Sequence, residues 1–114
     1  MLTWDTIRRN EVPYSNESWE SPESNLDAND YCAVCLVDLN ERGAEKIKSR
    51  CYLPVRKTPG GPYNKAALRN AAARLPQSDI PGDEKRKAAR KLVALMREGD
   101  MGVGPATLRM AGMR

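Results

Sequence analysis

Apolar positions gather into short blocks along this chain, and their spacing changes from block to block. Residues 31–38, YCAVCLVD, are almost continuously apolar and rich in residue types that suit a half-buried pleated surface, which predicts a strand. Residues 50–56, RCYLPVR, predict the returning strand. The polar stretch LNERGAEKIK joins them, so the pair reads as a β-hairpin with a long loop. Pro54 has no backbone N–H to give to a ladder, so the second strand is an edge or stops there. TPGGP at 58–62 is a turn, and Asn64 behind it is placed to cap a helix.

From there the spacing turns helical. Leu68, Ala71, Ala72 and Leu75 recur at i, i+3, i+4 and i+7, predicting a helix over 65–75 that Pro76 ends. After the loop QSDIPGD, with Asp83 as the expected N-cap, a second helix is predicted over 84–98. Its buried stripe is Ala88, Ala89, Leu92, Leu95 and Met96, and Gly99 is the expected C′ residue. Alanines in both stripes imply close approach of the two helices. The predicted fold is α+β, a short β-hairpin packed on a two-helix (αα-hairpin) unit, with an extended N-terminal arm.

The organisation read from this pattern is an acidic extended arm at 1–30, a hairpin-plus-helices domain at 31–98, and a flexible Gly/Met tail at 99–114. Thr3 is placed to cap a short turn over 4–9. Beyond Pro13 the arm is polar and turn-rich, a composition that cannot offset its own ordering entropy by burial. Trp4, Tyr14 and Trp19 are its candidate anchors, either on a partner or folded back onto the domain. The tail has the expectation of a weak helical turn over 107–113.

Charge sharpens the division. Residues 1–31 carry two cations against seven carboxylates, a net of −5, whereas residues 56–97 carry eleven cations against three, a net of +8. An acidic arm ahead of a basic body favours an acidic partner or nucleic acid, or contact between arm and body within or between chains. The opening residues lack the basic start and apolar run of a secretory signal, and no segment approaches the about 20 apolar residues of a membrane span. A soluble protein with no membrane partner is expected.

Candidate chemistry is sparse. Cys32, Cys35 and Cys51 are the only thiols, and the chain has no histidine. Buried apolar thiols, a cross-strand Cys35–Cys51 pair and a weak metal site are all open, the last needing Asp30, Asp38, water or another subunit as fourth ligand. Residues 32 and 35 of one strand would face opposite ways. No acid–base pair, nucleophile elbow, phosphate loop or dinucleotide fingerprint is present, so a non-enzymatic chain without cofactors is expected. The charge signal is the basic set Arg56, Lys57, Lys65, Arg69, Arg74, Lys85, Arg86, Lys87, Arg90, Lys91 and Arg97, which suits phosphates or an acidic protein surface.

Leu53-Pro54-Val55-Arg56, Gly60-Gly61, Asn64, Ala67-Leu68-Arg69, Ala71 and Leu75, followed by the alternating Ala and Lys/Arg of 85–98, resemble a small domain of tailed-bacteriophage proteins. That domain accompanies head-morphogenesis and prohead-protease reading frames, and the resemblance covers about residues 32–98. No protease domain is present, so no catalytic role carries over. The resemblance implies a virion (head) structural or assembly protein, part of a larger assembly built in the host cytoplasm, with other virion proteins as partners. Nucleic-acid binding through the basic helices, or inhibition of a host protein, are the alternative expectations.

Overall fold

A computed structural model describes residues 14–113 of the chain; the expectations at Thr3 and Trp4 lie outside them. The described chain enters as a two-residue strand, β1 (Tyr14–Ser15), and crosses a polar stretch to Asp27. The Asp27 carboxylate accepts from the Asp30 backbone N–H at 2.8 Å. That bond satisfies one of the amides a helix start leaves unpaired, and it opens helix α1 (Ala28–Val34). The strand expected from residue 31 is thereby corrected. Residues 31–34 are helical, and only Cys35–Asp38 is extended, as β2.

β2 pairs antiparallel with β3 (Cys51–Pro54), in a register that sets Cys35 against Pro54, Val37 against Tyr52 and Asp38 against Cys51. The hairpin with a long loop stands as read, and β3 ends at the proline that cannot extend its ladder. The loop finishes in a 3₁₀ turn, Lys48–Arg50. The 58–62 turn uses a left-handed Gly60 (φ 77°), where a side chain would be strained. It delivers β4 (Tyr63–Asn64), which pairs in parallel with β1, Tyr14 against Tyr63 and Ser15 against Asn64.

Asn64 caps α2 (Lys65–Arg74) by accepting from the Ala67 N–H at 2.9 Å, as its position predicted. Leu75–Gln77 continue as a 3₁₀ turn. α3 (Gly82–Glu98) starts one residue before the expected cap: Pro81 occupies the N-cap position, and Asp83 and Glu84 sit in the first turn, complementing the helix dipole. Its buried stripe includes Val93, while Leu95 is half-buried. Gly99 is the C-cap with φ −84°, and the left-handed C′ residue is Asp100 at φ 58°. Bonds from Met101 N–H to Met96 O (2.8 Å) and from Asp100 N–H to Arg97 O (3.1 Å) complete a Schellman closure.

The tail is corrected from a flexible appendage to a docked helix. α4 (Pro105–Met110) has proline in its first turn and a left-handed Gly112 beyond its end, and it closes with the same Schellman pair. It lies on α3 with Ala111 fully buried. The core joins β2, α2, α3 and the tail through Leu36, Val55, Leu68, Leu75, Leu92, Val93, Met96 and Ala111. A smaller cluster of Tyr31, Cys32, Val34 and Cys51 sits where α1 meets β3.

The segment 14–27 lies on the body rather than away from it. The Tyr14 hydroxyl donates to the Leu95 carbonyl at 2.5 Å, and its ring stands 5.8 Å from that of Tyr63. A Cβ added at Gly99 would come within 2.6 Å of the Tyr14 ring, so glycine is required there by close approach, not by backbone conformation. Asn64 Nδ2 donates to Glu17 O at 2.9 Å, and Lys48 Nζ to Glu23 O at 2.6 Å.

Candidate acidic-partner interface

The geometry of α3 builds the site. Its inner stripe of Ala88, Ala89, Leu92, Val93 and Met96 is buried, so helical periodicity turns residues 86, 87, 90, 91, 94 and 97 outward. Ala94, exposed and small, is in the middle of that face. Two clefts flank it. One, of about 340 Å³, is walled by Val34, Cys35, Leu36, Val55, Tyr63 and Leu95, with Arg56 and Lys91 beside them. The other, of about 390 Å³, lies among Arg90, Val93, Arg97 and Met113. Ala94 belongs to both, so a partner laid across it meets apolar surface on either side and cations at the margins.

The cations of the predicted set fall into groups. Several are held by the fold. The Arg56 guanidinium lies 4.1 Å from the centroid of the Tyr63 ring and also donates to the Tyr63 hydroxyl. Lys85 donates to Pro76 O at 3.0 Å, Arg90 Nε to Ala111 O at 3.0 Å and Lys91 to Leu36 O at 3.2 Å. Arg90 thus satisfies a carbonyl at the C-terminal end of α4, where cations are favoured. Among the described residues the ion pairs are Lys46–Asp38, Lys57–Glu17 and Lys87–Glu84. The last two, at 3.6 and 3.7 Å and largely exposed, are worth little. Arg69 and Arg74 are exposed on α2, and Arg86 and Arg97 on α3, with Lys65 half-buried at the start of α2. The acidic segment therefore meets the basic body at Lys57 and Lys48, and no described carboxylate pairs with Arg86 or Arg97.

The predicted anchors part company. Tyr14 is spent on its own domain, and burial, followed by Glu98 and Tyr63, raises its pKa. Trp19 is half-buried on the wall of a third, more polar cleft of about 530 Å³ with Tyr52, Leu53, Asn70 and Arg74. Leu53 there has φ 66°, a left-handed backbone that costs a leucine energy.

Cys32 and Cys51 form a disulfide, with Cα atoms 5.3 Å apart, and Cys35 is the remaining thiol. Two of the open readings are corrected, free buried thiols at Cys32 and Cys51 and the cross-strand Cys35–Cys51 pair: because 31–34 are helical, Cys32 turns towards β3 and Cys35 turns into the cleft beside Ala94. Burial pushes the Cys35 thiol up to about 12, against a smaller downward effect of its hydrogen bond with Tyr31. Burial also raises Tyr31 well above the ordinary tyrosine value. Both groups stay protonated at neutral pH and offer neither a base nor a nucleophile.

Ala94, Val93 and Tyr63 were not singled out in the sequence, and Leu95, read there as part of the buried stripe, is half-buried on a cleft wall; the helical period of α3 already sets Ala94 opposite that stripe. Comparison of the chain with family models, with curated proteins and with solved structures finds no match.

Proposed function

We propose that this chain is a non-enzymatic head component of a tailed-bacteriophage virion, structural or assembly in role, that docks an acidic segment of a neighbouring virion protein across Ala94. The observation that carries the docking mode is the pair of apolar clefts on either side of Ala94, with Arg56 and Lys91 in one and Arg90 and Arg97 in the other. A nucleic-acid backbone would use the cations and leave the half-buried Leu95 and Met113 unused, whereas a protein segment bearing both carboxylates and apolar side chains uses all of them. The assignment to a virion rests on the residues that resemble the phage domain.

A second reading has its own support: Arg86 and Arg97 are exposed on one helix and neither forms an ion pair with a described carboxylate, which leaves them for a phosphate contact. Sedimentation of purified heads with the chain, followed by mass spectrometry, tests the first. The chain is expected in the particle fraction and is expected to leave it when Ala94→Gln fills the space between the two clefts. A chain absent from the particles, or one that co-purifies only with packaged DNA and is shed on nuclease treatment, sinks the reading.

A further inference from the structure

Four electron-pair donors converge on one side-chain amide at the solvent edge of the hairpin. Asn40 Nδ2 lies 2.8 Å from Asp38 Oδ1, 3.3 Å from Ile47 O, 3.4 Å from Cys51 Sγ and 3.6 Å from Cys32 Sγ. An amide nitrogen has two hydrogens, so it cannot satisfy four acceptors at once. With the two sulfurs joined in the disulfide, the Asp38 carboxylate completes a group in which ligand atoms of Cys32, Cys51 and Asp38 all lie within 4.8 Å of one another. Two sulfurs, a carboxylate and a carbonyl aimed at one point make a donor set for a borderline-soft divalent cation, which takes four ligands in tetrahedral arrangement.

We propose that the reduced protein binds a zinc-class divalent cation through Cys32, Cys51 and Asp38, with the Ile47 carbonyl completing the set, and that the disulfide is the metal-free form of the same site. The fold supplies the convergence. α1 brings Cys32 down onto β3, the β2–β3 register sets Asp38 directly opposite Cys51, and the loop returns Ile47 over both. Lys46 donates to the second Asp38 oxygen, while Oδ1 accepts from the Asn40 backbone N–H at 2.9 Å and from Asn40 Nδ2 at 2.8 Å; a bound cation takes the place of the side-chain amide, and the other two bonds orient the carboxylate as outer hydrogen bonds orient carboxylate ligands elsewhere. Asn40 keeps the place electropositive while the sulfurs are joined, its own oxygen anchored by the Ile47 N–H at 2.9 Å. Cys35 stands outside the group, in the cleft beside Ala94.

The chemistry balances. A phosphine reductant takes up the oxygen of water as the Cys32–Cys51 bond breaks, giving phosphine oxide and two thiols. The cation then displaces the two thiol protons, and both sulfurs bind as thiolates. Reoxidation by a disulfide or a peroxide removes two electrons from the thiolates, re-forms the sulfur–sulfur bond and releases the cation. The two states exclude each other because they use the same sulfur atoms.

The test is anaerobic titration of the full chain with cobalt(II), before and after treatment with excess phosphine. Reduced protein is expected to show sulfur-to-cobalt charge-transfer absorption at one metal per chain, displaced by zinc, and oxidised protein none. Cys51→Ser removes the absorption and Cys35→Ser leaves it unchanged. Asp38→Asn, an exposed change that spares the sulfurs, weakens cobalt binding about tenfold or more. Reduced protein without the absorption, a disulfide that stays closed in excess phosphine, affinity untouched in Asp38→Asn, or absorption lost in Cys35→Ser overturns the proposal.

Discussion

Replacing Gly99 with alanine probes whether the acidic segment lies on its own body. The backbone at Gly99 (φ −84°) accepts alanine without strain, and on that ground alone the change stabilises by about 0.4–1 kcal/mol through the unfolded chain. The ring of Tyr14 reverses the sign. The new Cβ would stand 2.6, 2.9 and 3.0 Å from three of its carbons, so the ring must retreat, and its hydroxyl is tied to Leu95 O at 2.5 Å. Overpacking of this kind costs about 1–3 kcal/mol. The net expectation for Gly99→Ala is a loss of roughly 1–2 kcal/mol, combining the two effects. For a domain near 100 residues that lowers Tm by about 4–8 °C per kcal/mol. The decisive arm is the double variant. With Tyr14→Ala in place the obstruction is gone, and Gly99→Ala becomes neutral or stabilising. Thermal and urea unfolding of the four proteins gives the coupling directly. Gly99→Ala that is neutral in the wild-type background, or equally harmful beside Tyr14→Ala, refutes the packing of Tyr14 on α3.

Other consequences follow from single contacts. Tyr14 has its folded pKa raised by burial, so the neutral phenol contributes stability below the ordinary tyrosine value near 10 and loses it as pH rises through the higher folded value. Tyr14→Phe should therefore be less stable than wild type at neutral pH by about 1 kcal/mol, with the gap closing in alkali; a gap that widens there contradicts the assignment. Asn64→Ala removes both the α2 cap and the donor to Glu17 O from a buried site, for about 2–3 kcal/mol in urea unfolding, whereas Asn64→Asp keeps the cap and loses less. Asp100→Gly relieves a left-handed exposed C′ residue and should raise Tm, with a gain of up to about 1 kcal/mol; a fall in Tm counts against the Schellman closure of α3.

The parts legible in the residues are those where one side chain decides the local outcome. Asn64 caps α2, Pro54 ends β3, and the 3.6-residue spacing of Leu68, Ala71 and Leu75 or of Ala88, Leu92 and Met96 finds the inner faces of both helices. The misread strand at 31–34 has β-like composition, but the Asp27 cap and the Asp30 N–H three residues on overrule it, and composition does not register a cap. The Cys35–Cys51 option failed with it: the helix carries Cys32 onto Cys51, while the hairpin register sets Cys35 against Pro54 instead. Gly99 was identified as a helix end on propensity, whereas its role is to admit Tyr14, a contact 85 residues away in sequence and so invisible to any local pattern. The tail carried a readable frame, Pro105 in the first turn and Gly112 past the end, obscured by its glycines and methionines. The clefts beside Ala94 are tertiary: they join α1, β2, β4, α3 and the tail, and only the fold brings those walls together.

The most direct test of the proposed docking compares two ligands and one substitution. Binding of a short acidic, leucine-bearing peptide and of duplex DNA is measured at two salt concentrations for the wild type and for Ala94→Gln, which keeps the charge and the exposed helical position but fills the space between the clefts. The account predicts that the wild type binds the peptide, that Ala94→Gln loses that binding at least several-fold, and that any DNA affinity is unchanged by the substitution. Peptide binding that is absent, or indifferent to Ala94→Gln, beside salt-dependent DNA binding by both proteins would contradict it.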